Sequence, residues 1–434
     1  MTKRSYLEIP YGRQTEKVVF PQRVKISVCI PASQKPGDCL DLSKQSWIIP
    51  GSQNLEDFLN DISGKRLLII VNDASRYTPT SSVLESVWPL LQKKAVEPIF
   101  LVATGAHRAC TSKELETIFG SLYESVRSRI IIHDSREERD LLYLGRTPIF
   151  QVDLFINRHL ANPDYAGILT INSVEPHYFA GYTGGRKSIV PGVTGHTTIT
   201  QTHKLALSSQ SQICVLEGNP VSDSLEECLN LFQKSFPLPI YSIQLVIDSK
   251  GCCQGIFCGD IFESHRKAAK QANSLFVVPV EKKFDLVILA PSSPFDKTLY
   301  QSHKAIENAR GILKEGSTVV LVAKCDEGIG PIDFMEPFMK WKDLRSNPQK
   351  FLERARQEYK LGYHKAAKLV ELSQRVNLVS RTSLNKNHLD ELGIGSIEDL
   401  QGWINQYFSE NLTVEDVLII YDAAVTVPIV SPGD

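Results

Sequence analysis

The sequence predicts an α/β fold in two domains: a larger N-terminal, mainly parallel α/β domain and a smaller C-terminal αβα domain, with the active site in the cleft between them. Three observations carry that expectation. Apolar runs rich in β-branched residues recur, each followed by turn residues and then a helix-like pattern. A polar, proline-containing joint at Val278 to Lys283 separates a long helical pattern from a fresh strand. Titratable residues collect directly after the apolar runs rather than at random.

The clearest strands are Arg66 to Val71 (RLLIIV), Pro98 to Ala103 (PIFLVA), Ala166 to Ile171 (AGILTI) and Leu286 to Leu289. Thr318 to Val322, Val376 to Val379 and Val417 to Tyr421 are further candidates, and helices are expected over Ser81 to Lys94, Ile261 to Ala272 and Tyr300 to Ile312. Domain boundaries follow as residues 1–278 and 279–412, with 413–434 a terminal strand segment open to a return into the first domain.

Composition narrows the partners. Among 434 residues, 48 basic against 49 acidic ones leave a net charge of -1, so no global field draws the chain to nucleic acid or an anionic membrane. A small molecule is the expected partner. The opening MTKRSYLEIPYGR lacks the apolar run of a secretory signal and no long apolar span follows, so a cytoplasmic location is expected. The nine cysteines are odd in number and irregularly spaced, which favours reduced, buried thiols over a disulfide framework. Cys252, Cys253 and Cys258 lack a second pair at zinc-finger spacing.

Three strand ends nominate one site. RLLIIV runs into Asn72, Asp73, Ala74, Ser75 and Arg76; PIFLVA into Thr104, Gly105, Ala106, His107 and Arg108; AGILTI into Glu175, Pro176 and His177. Loops at the carboxyl ends of parallel strands converge on a crevice, so their coincidence counts for more than each residue alone. Singly, Asp73 would read as a helix cap, Arg76 as a surface charge, and either histidine as a hydrogen-bonded structural group.

The densest segment is Glu175 to Leu207. Gly181, Gly184 and Gly185 allow sharp turns and close backbone approach, with Arg186 and Lys187 adding positive charge beside them, a phosphate-binding pattern. The segment misses a nucleoside-triphosphate loop because Arg186 stands where its second glycine should be, yet a nucleotide-dependent transferase or ATPase stays open. His196 and His203 follow, too few to cage a metal, so any metal there needs ligands from a cofactor. In the second domain Tyr300 and Lys304 stand four apart on one helix face, with Gln301 adjacent.

Taken together, the motifs resemble those of the nickel-pincer-nucleotide-dependent lactate racemase family of 2-hydroxy-acid racemases and epimerases. They run from LEIPYG through Asp73 to Arg76, Thr104 to Arg108, Glu175 to His177, Gly184 to Ser188, Pro191-Gly192, His203, Phe257 to Asp260, and Tyr300-Gln301 with Lys304. The resemblance implies an isomerase that moves hydride from C2 of a 2-hydroxy acid to the cofactor and back, with His107 and His177 as its paired acid/bases. It implies that Lys187 tethers the nickel-pincer nucleotide and that His203 binds the nickel. Asp73, Ala74, Ser75, Arg76, Gly184 and Gly185 would contact the cofactor, and Arg76, Tyr300, Gln301 and Lys304 the substrate. Proteins that build the cofactor are implied partners. Ser75 stands where the family usually carries threonine, and His196 is an extra histidine near His203. A carrier that holds the nickel nucleotide without turnover is the non-enzymatic alternative.

Overall fold

The computed structural model describes residues 6–32, 54–76, 78–248 and 250–431. Cys39 lies outside them. The chain divides into two compact units: Ser33–Asn273, and Met1–Ala32 together with Ser274–Asp434.

In the first of these, six strands form one sheet in the order Cys253–Gly259, Ile240–Ile247, Tyr165–Ser173, Arg66–Asn72, Glu97–Ala103, Ile130–Ile132. All neighbours are parallel except the edge pair Ile240–Ile247 and Cys253–Gly259. The run RLLIIV is apolar throughout because both faces of its strand are covered. Leu67, Ile69 and Val71 pack with Val83, Leu84 and Val87 of the helix Thr80–Lys93; Leu68 and Ile70 pack with Leu225, Leu229 and Phe232 of the helix Pro220–Ser235. From Arg66–Asn72 the chain builds outward to Ile130–Ile132, then returns to add Tyr165–Ser173 on the opposite side. That reversal makes the carboxyl ends of Arg66–Asn72 and Tyr165–Ser173 the switch point at which open α/β sheets receive ligands.

A polar patch crosses this sheet. Thr170 Oγ1 and Ser242 Oγ lie 2.6 Å apart, Asn172 Nδ2 donates to Thr170 Oγ1 at 3.3 Å, and Gln244 Nε2 donates to Ser242 Oγ. Above it, Ser188 Oγ donates to Asn172 Oδ1, and Gly185 N donates to Gln244 Oε1 at 2.9 Å. Buried polar atoms need partners, and here they tie the turn Gly185–Ser188 to the sheet.

The other unit holds a wholly parallel sheet in the order Gly395–Ser396, Asn377–Arg381, Leu313–Val322, Phe284–Ala290, Asp416–Tyr421, Lys25–Cys29. Two boundaries differ from the sequence expectation. The strand Asp416–Tyr421 enters this sheet between Phe284–Ala290 and Lys25–Cys29, so residues 413–434 do not return to the first domain. The first 32 residues likewise belong here and not to a domain spanning 1–278. The reason is burial: Ile9, Tyr11 and Val18 of an N-terminal hairpin join Leu286, Ile288, Val417, Ile419 and Phe408 in one core. Among the described residues no helix is long and apolar enough to cross a membrane.

Candidate functional site

Asp73 leaves the end of Arg66–Asn72 and is 6% exposed. Its Oδ1 accepts from Ser75 Oγ at 2.6 Å, and its Oδ2 stands 2.7 Å from His107 Nδ1. Burial alone would raise this carboxyl, but hydrogen bonds from His107 and Ser75 and the charge of Arg76 outweigh it and hold the group below its usual range. An ionised carboxylate only accepts, so His107 Nδ1 donates and the lone pair of the neutral ring falls on Nε2. The loop carrying His107 is anchored twice: Gly105 N donates to Gly192 O at 2.9 Å, and Thr104 Oγ1 donates to His133 O at 2.6 Å. Gly105 thereby brings the second strand end against Pro191-Gly192.

At the third strand end, Arg76 Nη1 meets Glu175 Oε1 at 3.5 Å, joining two of the predicted loops. His177 and Gly181 pair in a short hairpin, Pro176–His177 against Gly181–Tyr182. The backbone N–H of Ala180 donates to His177 Nδ1 at 3.3 Å, which leaves the proton of the neutral ring on Nε2. The two histidines therefore present complementary faces, a lone pair at His107 and an N–H at His177.

Phe179 is the hub that the sequence did not mark. Its ring lies 4.4 Å from that of His177 and 5.4 Å from that of His203, edge to face in both cases, and Lys187 Nζ stands 5.7 Å from its centroid. His203, in the last turn of the helix His196–Lys204, donates from Nδ1 to the Ile199 carbonyl at 2.8 Å, which places its lone pair on Nε2. Burial first, then the charge of Lys187, push its pKa down to about 3, so the ring is neutral at pH 7. His196, at the start of the same helix, has Arg136 Nη2 3.5 Å from its Nε2.

Arg186 corrects an expectation. Its guanidinium does not add to a phosphate cradle: it is 3% exposed, with Nε on Ser222 O at 3.2 Å, Nη2 on Ser222 Oγ at 2.7 Å and Nη1 3.1 Å from His265 Nδ1. His265 Nε2 in turn lies 2.8 Å from the Thr183 carbonyl. Gly185 serves this packing, because at φ 54° an added Cβ would stand 2.5 Å from His265 Cγ. Burial and the neighbouring Arg186 push the His265 pKa down to about 3. A group lowered from its unfolded value of ~6.5 favours unfolding as pH falls, by up to about 1.4 kcal/mol per pH unit until the folded group titrates. The urea midpoint is therefore expected to be lower at pH 5 than at pH 7, and a midpoint that is flat over that interval contradicts the assignment.

Tyr300, Gln301 and Lys304 belong to the other unit, where they share the first turns of the helix Leu299–Ala309 as the spacing predicted. Thr298 Oγ1 caps the helix by accepting from Gln301 N at 3.3 Å, and Lys304 Nζ lies 4.4 Å from the Phe295 ring. Lys365, absent from the sequence-based set, touches the same turn.

Fold and geometry together define a two-unit α/β protein with two histidines past the strands that flank the central strand Arg66–Asn72, and with a lysine and a third histidine set beside His177 on one aromatic ring. The lactate racemase N-terminal domain matches residues 11–214 and the lactate racemase C-terminal domain residues 280–427. The chain belongs to the lactate racemase family, and it is an isomerase of the racemase class. It is 28% identical over 362 residues to the lactate racemase of Thermoanaerobacterium thermosaccharolyticum, covering 81% of this chain and 82% of that protein. To the lactate racemase of Lactiplantibacillus plantarum it is 27% identical over 308 residues, 70% of this chain and 69% of that one. Among solved structures, the lactate racemase apoprotein of T. thermosaccharolyticum superposes with a TM-score of 0.85 at 24% identity, covering 98% of this chain and 100% of its own. A Thermotoga maritima protein covers 88% of this chain and 100% of its own at a TM-score of 0.67 and 15% identity.

Proposed function

We propose that the protein inverts C2 of a 2-hydroxy acid, lactate or a close relative, using a nickel-pincer nucleotide held at Lys187 and His203. The observation that carries this reading is the complementary proton arrangement of His107 and His177 in the unit where Phe179 gathers His177, Lys187 and His203.

The residues present fit such a group. His203 offers a neutral imidazole whose Nδ1 proton is already committed, the usual preparation of a metal-ligating histidine. No group of three or more His, Cys, Asp or Glu among the described residues could hold a metal ion, so a metal at His203 suits a cofactor that brings its own sulfur and carbon ligands. Lys187 would neutralise a phosphate or form a covalent tether, with Asp73, Ala74, Ser75, Gly184 and Gly185 as further cofactor contacts. When bound, the nickel nucleotide supplies a reversible hydride acceptor for C2.

The chain's own residues then do the proton work. His107, oriented by Asp73, would take the hydroxyl proton of one enantiomer at Nε2, and His177 would give a proton from its Nε2 to the oxygen of the inverted product. For the opposite enantiomer the roles exchange, which is why two imidazoles are needed. Arg76, Tyr300, Gln301 and Lys304 are the proposed substrate contacts, with a cation such as Arg76 or Lys304 holding the carboxylate through charge-assisted hydrogen bonds. The test is to produce the protein together with the cofactor-making proteins and follow single enantiomers of 2-hydroxy acids for loss of optical purity. ATP hydrolysis without racemisation would overturn the reading.

A further inference from the structure

Lys365 is the third residue of the helix Tyr363–Ser373 and is 3% exposed. Burying a side chain that carries an ammonium is costly, and a methionine would fill the same volume without that cost. What the amine adds is visible in its contacts. Its Nζ donates to the Tyr300 carbonyl oxygen and lies 3.6 Å from the centroid of the Tyr300 ring. Tyr300 is fixed on its other sides by its own N–H to Ile329 O at 2.8 Å, by the edge of Phe334 with centroids 5.7 Å apart, and by Gly330, where a Cβ would come within 2.5 Å of Tyr300 Cβ. The carbonyl held by Lys365 lies in the turn of Leu299–Ala309 that carries Tyr300, Gln301 and Lys304. Burial first, then the like charge of Lys304, push the Lys365 pKa well below its ordinary value, which places the two amines in each other's field.

We propose that Lys365 is a positioning residue for substrate binding, clamping the turn Tyr300 to Lys304 through the Tyr300 carbonyl and ring. This rests on the reading above that the turn meets the hydroxy acid. A side chain that orients ground-state contacts acts on substrate and transition state alike, so its loss shows in KM more than in kcat.

The experiment compares loaded wild-type, Lys365→Met and Lys365→Arg enzymes, with hydrogen exchange measured on the same turn. Lys365→Met is expected to raise KM by about 10-fold or more with kcat within about 3-fold, Lys365→Arg to recover much of the loss, and amides 301–305 to exchange faster in the Met variant alone. Lys365→Gln takes its place if the Met variant does not fold. An unchanged KM in an enzyme that racemises overturns the clamp and leaves the function standing. If the wild type inverts no 2-hydroxy acid, the functional reading fails instead, and unaltered exchange of the turn in the variant then overturns the clamp by itself.

Discussion

Replacing His177 or His107 with alanine is expected to lower kcat by about 10²- to 10⁴-fold, the usual worth of a positioned acid/base. Both substitutions should act on both enantiomers, because in the proposed inversion either direction uses one ring to take a proton and the other to give one. Bound nickel should be unchanged in either variant, since neither ring is the proposed ligand. Asp73→Asn should have a smaller effect of the same kind: it keeps an oxygen within reach of His107 Nδ1 but removes the charge that fixes that ring. Initial rates of both enantiomers, read beside nickel content, separate this account from that of a carrier. A carrier would retain its full behaviour without either histidine.

The second large effect is expected at His203. The Ile199 carbonyl takes the Nδ1 proton and burial keeps the ring neutral, which leaves the Nε2 lone pair for the proposed ligand role. His203→Ala should therefore take nickel from about one atom per chain to less than about a tenth, measured by elemental analysis after desalting, with a fold unchanged by circular dichroism. Activity should fall with the metal. Nickel retained at full stoichiometry would move the ligand role to another residue, with His196 the first to test because it lies in the same helix.

Much of this was legible in the sequence, for identifiable reasons. RLLIIV, PIFLVA and AGILTI announce buried parallel strands because a strand covered on both faces needs apolar residues at every position. The candidate site is nominated by them: Asp73, His107 and Glu175 to His177 are polar residues just past strand ends, where open parallel sheets commonly receive ligands. What stayed hidden depends on contacts far apart in sequence. Asp73 and His107 are 34 residues apart, and neither local pattern says that they pair. Arg186 reads as a basic neighbour of glycines until Ser222 and His265 claim it from distant helices. Lys365 lies 65 residues from Tyr300 in an unremarkable amphipathic stretch. The N-terminal residues misled for the opposite reason: their order in the chain suggested the first domain, whereas the edge beside Asp416–Tyr421 gave Lys25–Cys29 its hydrogen bonds.

Phe179 carries a general lesson about reading such segments. In EPHYFAGYTGGRKS the histidine, glycines and lysine draw attention as chemistry, and the aromatic residue reads as core. In the folded chain His177, His203 and Lys187 are all set against that ring.

The central claim is that one site joins nickel to inversion at C2. The most direct measurement incubates the nickel-loaded protein with a single enantiomer of lactate labelled with deuterium at C2 and follows both optical purity and label. The account predicts that the opposite enantiomer appears with most of its deuterium retained, because the hydrogen leaves and returns as hydride within one site. Inversion with complete exchange of that deuterium for solvent hydrogen would contradict it.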